Sequence, residues 1–187
     1  MTVITISGTP GSGKTTVAEL LHKKIGIAYI CSGIIFRETA KKYNMNLEDF
    51  GKFCEKNSDI DKELDKKQIS ILKKGNVILE GRLAGWLAYQ NNISSFKIFI
   101  DADLNTRVNR IINRENGDIK KRKKEILERE RSEYARYKKY YNINLDDTSI
   151  YDLVVNSTNK TPEETVNIIL KNFNNFYTKD MITANCD

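Results

Sequence analysis

Histidine and tryptophan each occur once in these 187 residues, proline twice and cysteine three times. Each scarcity removes a class of chemistry. His22 follows Leu21 on a helical pattern and precedes Lys23 and Lys24, a solvated position, and the chain offers no second imidazole for a zinc site. Cys31, Cys54 and Cys186 lie far apart, without metal-type spacing, and read as free thiols in a reducing cytoplasm. There is no proline-rich linker, internal repeat or low-complexity block, so one domain is expected. No apolar run approaches the ~20 residues of a membrane span. An apolar strand starts at residue 2, leaving no room for a leader, and a cytoplasmic protein without a membrane partner is expected.

Charge is present but uneven. The net charge is +6, yet residues 118–141 hold ten Lys/Arg against five Asp/Glu, leaving the remainder nearly neutral. The basicity therefore belongs to one segment. Five acids interleaved with ten bases make that segment a poor tracker of a nucleic-acid backbone.

The strongest motif stands at residues 8–15. Gly8-Thr9-Pro10-Gly11-Ser12-Gly13-Lys14-Thr15 is a complete G-x-x-x-x-G-K-[ST] phosphate loop. It follows the apolar run Val3-Ile4-Thr5-Ile6-Ser7 and opens a helix carrying Val17, Leu20, Leu21 and Ile25 at helical spacing. The glycines free the backbone to wrap a phosphate, and the helix N-terminus adds N–H donors and partial positive charge. Residues 8–16, with Thr16 at the head of the helix, are the expected ATP site. Lys14 is expected on the β/γ-phosphates and the Thr15 hydroxyl on Mg²⁺.

Five apolar runs, 2–7, 27–31, 76–80, 96–101 and 151–156, alternate with helical patterns. This is the signature of an α/β fold with a parallel sheet and crossover helices. Ser58 with Asp61 resembles a capping box, and Gly75 closes that helix. Thr161-Pro162-Glu163-Glu164 reads as an N-cap, a first-turn proline and an N3 glutamate. Residues 178–187 carry no pattern and are expected to fray.

Further candidates sit at strand ends. Gly33 is expected to free the turn after the second strand, with Arg37 one helical turn on as a phosphate grip. Glu80 ends the third strand, where a phosphate-loop protein needs a carboxylate for Mg²⁺ or its water shell, and Arg82 follows as a second clamp. Arg107, Arg110 and Arg114 form one helical stripe, with Val108, Ile111 and Ile112 as the core-facing one. Arg129, Glu133 and Arg136 form another stripe. Leu127, Tyr134, Tyr137 and Tyr141 occupy a different face and read as packing.

In this order, the loop, Ser32-Gly33…Arg37, Glu80-Gly81-Arg82, the arginine helix and Glu128-Arg129…Glu133…Arg136 resemble the cytidylate kinases. Ile35-Phe36-Arg37-Glu38 and Leu79-Glu80-Gly81-Arg82-Leu83-Ala84 are most similar to the archaeal-type branch, and the resemblance spans about residues 2–172. It implies a three-layer P-loop NTPase fold whose five parallel strands run in order 2-3-1-4-5. The implied parts are a CORE (about 1–32, 76–114 and 148–177), a monophosphate-binding insertion (about 33–75) and a LID (about 115–147).

The implied activity is phosphoryl transfer from ATP, with Mg²⁺, to CMP and dCMP by a monomer. The acceptor site would comprise Ser32, Gly33, Arg37, Gly81 and Arg82. Arg129, Glu133 and Arg136 would close over it, Glu133 near the ribose and the arginines near the phosphates. Arg110 and Arg114 would stand on the ATP side. Lys14, Arg37, Arg82, Arg129 and Arg136 would stabilise the transferring group, and Thr15 with Glu80, through water, would hold the metal. Bacterial members carry Asp where this chain has Leu83, and again where it has Glu133. Adenylate or UMP kinases of the same fold, and an RNA-associated P-loop ATPase, are the competing readings. A GTPase is disfavoured because no Asn-Lys-x-Asp motif is present.

Overall fold

The computed structural model describes residues 1–183, and side chains to residue 176. Five parallel strands form one sheet in the order β2-β3-β1-β4-β5, as expected. They are β1 (Val3–Gly8), β2 (Ala28–Cys31), β3 (Val77–Glu80), β4 (Phe96–Asp101) and β5 (Leu153–Asn156). Central β1 pairs Ile4 with Ile78 on one side and with Phe96 on the other. All six of its residues are buried, which explains its unbroken apolar reading.

Alternation along the strands builds two cores. Ile4, Ile6, Ile78, Ile98 and Ile100 pack against Val17 and Leu21 of α1 (Lys14–Ile25) and Val166 and Ile169 of α8 (Pro162–Thr183). Val3, Val77 and Leu79 face the other way, toward Leu72 of α4 (Ser58–Lys74) and Trp86 and Leu87 of α5 (Ala84–Gln90). Gly85 brings α5 so close that its N–H donates to Ser7 Oγ at 3.0 Å.

Two excursions leave the sheet at its carboxyl end. Between β2 and β3 run α2 (Ser32–Lys42), α3 (Leu47–Lys56) and α4. Between β4 and β5 run α6 (Leu104–Glu115) and the long α7 (Ile119–Tyr141). The first excursion has a small core in which Ala40, Phe50 and Cys54 are buried. At ~1.5–3 kcal/mol for a fully buried large side chain, that core is too small to order three helices alone. Helix α7 buries only Ile126, Glu133 and Arg136. Polar ties join the two excursions instead. Arg136 meets Asp61, Tyr141 hydroxyl donates to Asp65, Ser132 to Glu55, and Tyr140 hydroxyl to the Cys54 and Glu55 carbonyls.

Most local signals act as expected. Thr161 and Glu164 exchange reciprocal backbone–side-chain hydrogen bonds at 3.1 and 2.8 Å, a complete capping box. Ser58 does not cap α4: the helix begins at Ser58 itself, the N-cap is Asn57, with no side-chain bond, and the Asp61 carboxylate is engaged by Arg136. Helix α8 runs on to Thr183, where fraying was expected from 178, and Cys186 lies outside the described residues. His22 is half-buried, its Nδ1 2.6 Å from the Ile27 carbonyl, and not simply solvated. Of the expected packing face on α7, Tyr137 and Tyr141 pack but Leu127 and Tyr134 are exposed.

Candidate active site

The phosphate loop is shaped by contacts that exclude side chains. A Cβ on Gly8 would lie 1.9 Å from the Ile100 carbonyl oxygen, and one on Gly11 2.8 Å from that of Arg107. Gly13 caps α1 in the left-handed region, φ 91°. Ser12 is buried and its Oγ has no hydrogen-bond partner among the described residues. Lys14 Nζ donates to the Thr9 carbonyl at 2.7 Å, folding back over the loop. Burial lowers the Lys14 pKa to about 8; Arg82 and Arg129 push the same way, while Glu80 and Glu133 oppose them. Thr16 is exposed at the start of the helix.

Glu80 stands at the end of β3 with 5% exposure, and its Oε2 lies 3.3 Å from both the Thr15 and Tyr29 hydroxyls. Strand order causes this meeting, because β3 lies beside β1, which feeds the loop. A hard oxygen pair next to a cradle that only glycine fits suits a Mg²⁺–triphosphate.

At the start of α2, Ser32 Oγ donates to the Glu80 carbonyl at 2.9 Å, and a Cβ on Gly81 would fall 1.7 Å from Ser32 Oγ. Gly33 is not in a turn. It lies within the first turn of α2, close to the Arg37 guanidinium, whose Nη1 is 3.6 Å from where a Cβ would be, an ordinary contact distance. Arg37 is exposed and makes no hydrogen bond to a described residue.

Helix α7 brings Glu133 against the end of β3. Glu133 accepts from Arg82 Nε at 2.7 Å and from Arg129 Nε at 2.8 Å, with its own side chain 7% exposed. Burial raises this carboxyl, but Arg129 and Arg82 outweigh burial and hold it down at about 2. Each arginine spends only Nε on Glu133, so the terminal guanidinium nitrogens of Arg82 and Arg129 remain unused beside Lys14. Arg136 is different. Its Nη1 reaches both Asp61 oxygens at 2.8 Å and its guanidinium lies between the Phe36 and Tyr137 rings.

Helix α6 supplies the loop's outer support. Arg110 donates to the Ser12 carbonyl and to Ser157. Arg114 does not reach the loop; it is largely exposed and pairs with its neighbour Glu115. Arg107, expected only as one member of the arginine stripe, is buried beside Val108. It donates to the Ala102 and Pro10 carbonyls at 3.0 and 3.2 Å and pairs with Glu130 of α7 at 2.6 Å. Asp101, also unanticipated, accepts from Thr9 Oγ1 at 2.6 Å. Its place at the end of β4, next to β1, was the available signal.

The profile of the cytidylate kinase-like family matches residues 3–159. A cytidylate kinase of Methanocaldococcus jannaschii is 46% identical over 168 residues, covering 89% of this chain and 94% of its own. One of Thermoplasma acidophilum is 42% identical and covers 96% of each chain. Among solved structures, a gluconokinase of Sinorhizobium meliloti shares the fold at TM-score 0.65 and 12% identity, covering 97% of each chain.

Proposed function

This chain belongs to the cytidylate kinase-like family, and from that footing we propose that it transfers the γ-phosphoryl group of ATP to CMP, and to dCMP, yielding ADP with CDP or dCDP. The observation that carries the proposal is the arginine clasp: Arg82 and Arg129 converge on Glu133 with their outer nitrogens free beside Lys14.

Phosphoryl transfer asks the protein to position two anions and stabilise the charge on the moving group. The backbone N–H groups of the loop, which Pro10 lacks, and Lys14 hold the triphosphate, and Arg110 braces the loop from α6. Thr15 and Glu80, the latter through water, would hold Mg²⁺, which supplies charge neutralisation and alignment of the phosphates. Arg37, Arg82 and Arg129 grip the acceptor phosphate from α2, the β3 end and α7. Ser32, Gly33 and Gly81 form the acceptor floor, and Glu133 faces the ribose. Arg136 acts by joining α7 to α4. The acceptor oxygen is already anionic, so no general base is needed, in keeping with a chain whose single histidine serves a helix end.

In this reading, about 33–75 is the monophosphate-binding insertion and about 115–147 the LID, whose closure excludes water from the transferring group. The protein acts as a cytoplasmic monomer on free nucleotides. Among the described residues, no helix is long and apolar enough to cross a membrane. Incubation with ATP, Mg²⁺ and CMP followed by anion-exchange chromatography tests the proposal: ADP and CDP should appear in equal amounts.

A further inference from the structure

Cytosine and uracil differ at the 4-position, where cytosine presents an amino donor and uracil a carbonyl acceptor. A site that separates them needs a fixed polar atom opposite that position. The residue after Arg82 does not supply one, because Leu83 is 3% exposed and packed with Trp86, Leu87 and Ile143.

Helix α4 presents an unusual stripe instead. Asp61, Asp65 and Gln68 lie at i, i+4 and i+7, and all three are buried where a sheet-packed helix ordinarily places apolar side chains. Asp61 is taken by Arg136. Asp65 receives two donors, Gln68 Nε2 at 3.0 Å and the Tyr141 hydroxyl at 2.6 Å. Gln68 Nε2 also faces the Leu64 carbonyl at 3.5 Å. Burial raises the Asp65 carboxyl to about 7, and with Asp65 ionised the opposite amide flip would set Oε1 against a carboxylate and a carbonyl, so above that pH the network holds Nε2 inward and Oε1 outward. Oε1 makes no hydrogen bond to a described residue. It borders the acceptor floor, 3.7 Å from the point that a Gly81 Cβ would occupy beside Ser32 Oγ.

We propose that Gln68 is a specificity-determining residue of the acceptor site, its Oε1 accepting from the exocyclic amino group of a cytosine nucleotide and repelling the O4 of a uracil nucleotide. Asp65 and Tyr141 are positioning residues that act through Gln68. The inference rests on the nucleoside monophosphate kinase reading above and adds to it the group that chooses the base.

The test is the ratio of kcat/KM for CMP to that for UMP, which does not depend on the fraction of active enzyme. Gln68→Leu should lower the ratio at least about tenfold, chiefly through loss of CMP turnover, with UMP turnover unchanged or raised as the repulsion of O4 is removed. Gln68→Met, matched in length, replaces it if the leucine variant fails to fold. Gln68→Glu can share a proton with Asp65 and still present an acceptor, so it should keep the ratio within about threefold of the parent. A purely structural Gln68 predicts the reverse, since glutamate sets two carboxyl groups together. An unchanged ratio in Gln68→Leu, or a collapsed one in Gln68→Glu, overturns the assignment and leaves the kinase reading standing. A parent enzyme that phosphorylates neither nucleotide overturns both.

Discussion

Arg136 and Asp61 meet at 2.8 Å with side chains only 4% and 6% exposed, joining α7 to α4 across 75 residues of chain. Breaking one half of such a pair leaves a buried charge without a partner. Arg136→Leu or Asp61→Leu should therefore each lower unfolding stability by about 3–5 kcal/mol in urea titrations. Replacing both with apolar residues should recover much of that loss, because the desolvation penalty disappears with the charges.

Glu133 predicts an acid limb. Its folded pKa of about 2 lies below the ordinary 4.5, so between those values the unfolded chain binds more protons. The stability it contributes is complete above pH ~4.5 and is lost as pH falls through ~2. Unfolding titrations from pH 2 to 5 should show a steeper slope for the parent than for Glu133→Gln.

Lys14 acts with the opposite charge and a depressed pKa. The unfolded lysine titrates near 10.5 and the folded one at about 8, so stability should rise with pH across that window. Lys14→Met should remove the slope and leave the fold intact. Its kcat should fall about 10²–10³-fold, the usual loss for removing a group aimed at transition-state charge.

Gly81 and Ser32 form a steric pair. A methyl group at Gly81 cannot coexist with Ser32 Oγ at 1.7 Å, so Gly81→Ala should displace Ser32 and raise KM for CMP while leaving KM for ATP nearly unchanged. Ser32→Gly in the same chain should restore part of the affinity, measurable by steady-state kinetics with each nucleotide varied in turn.

These pairs also mark what was legible in the sequence. The loop at 8–15, the five strands and the Thr161 capping box depend on neighbours within a few residues, and each appears where its local pattern places it. Glu80 was legible because strand ends at one sheet edge must converge. Arg107 read as one member of an arginine stripe, yet Pro10, Ala102 and Glu130 bury it, and only the folded chain assembles those partners. Ser58-x-x-Asp61 matched a capping pattern, but the helix starts one residue earlier than that pattern requires, and the Asp61 carboxylate is taken by an arginine 75 residues away that no local pattern could announce. Arg114 illustrates the converse: helical spacing put it on the arginine stripe, but α6 turns it to solvent and Glu115.

The free arginine nitrogens around Glu133 are expected to receive the phosphate of a cytidine monophosphate. ADP formation from ATP and Mg²⁺, followed with CMP, dCMP, UMP and AMP supplied in turn, tests it most directly. CMP and dCMP should raise the rate far above that without an acceptor, UMP less so, and AMP hardly at all. A rate unchanged by CMP, or a preference for AMP or UMP over CMP, would rule out cytidine monophosphate as the acceptor.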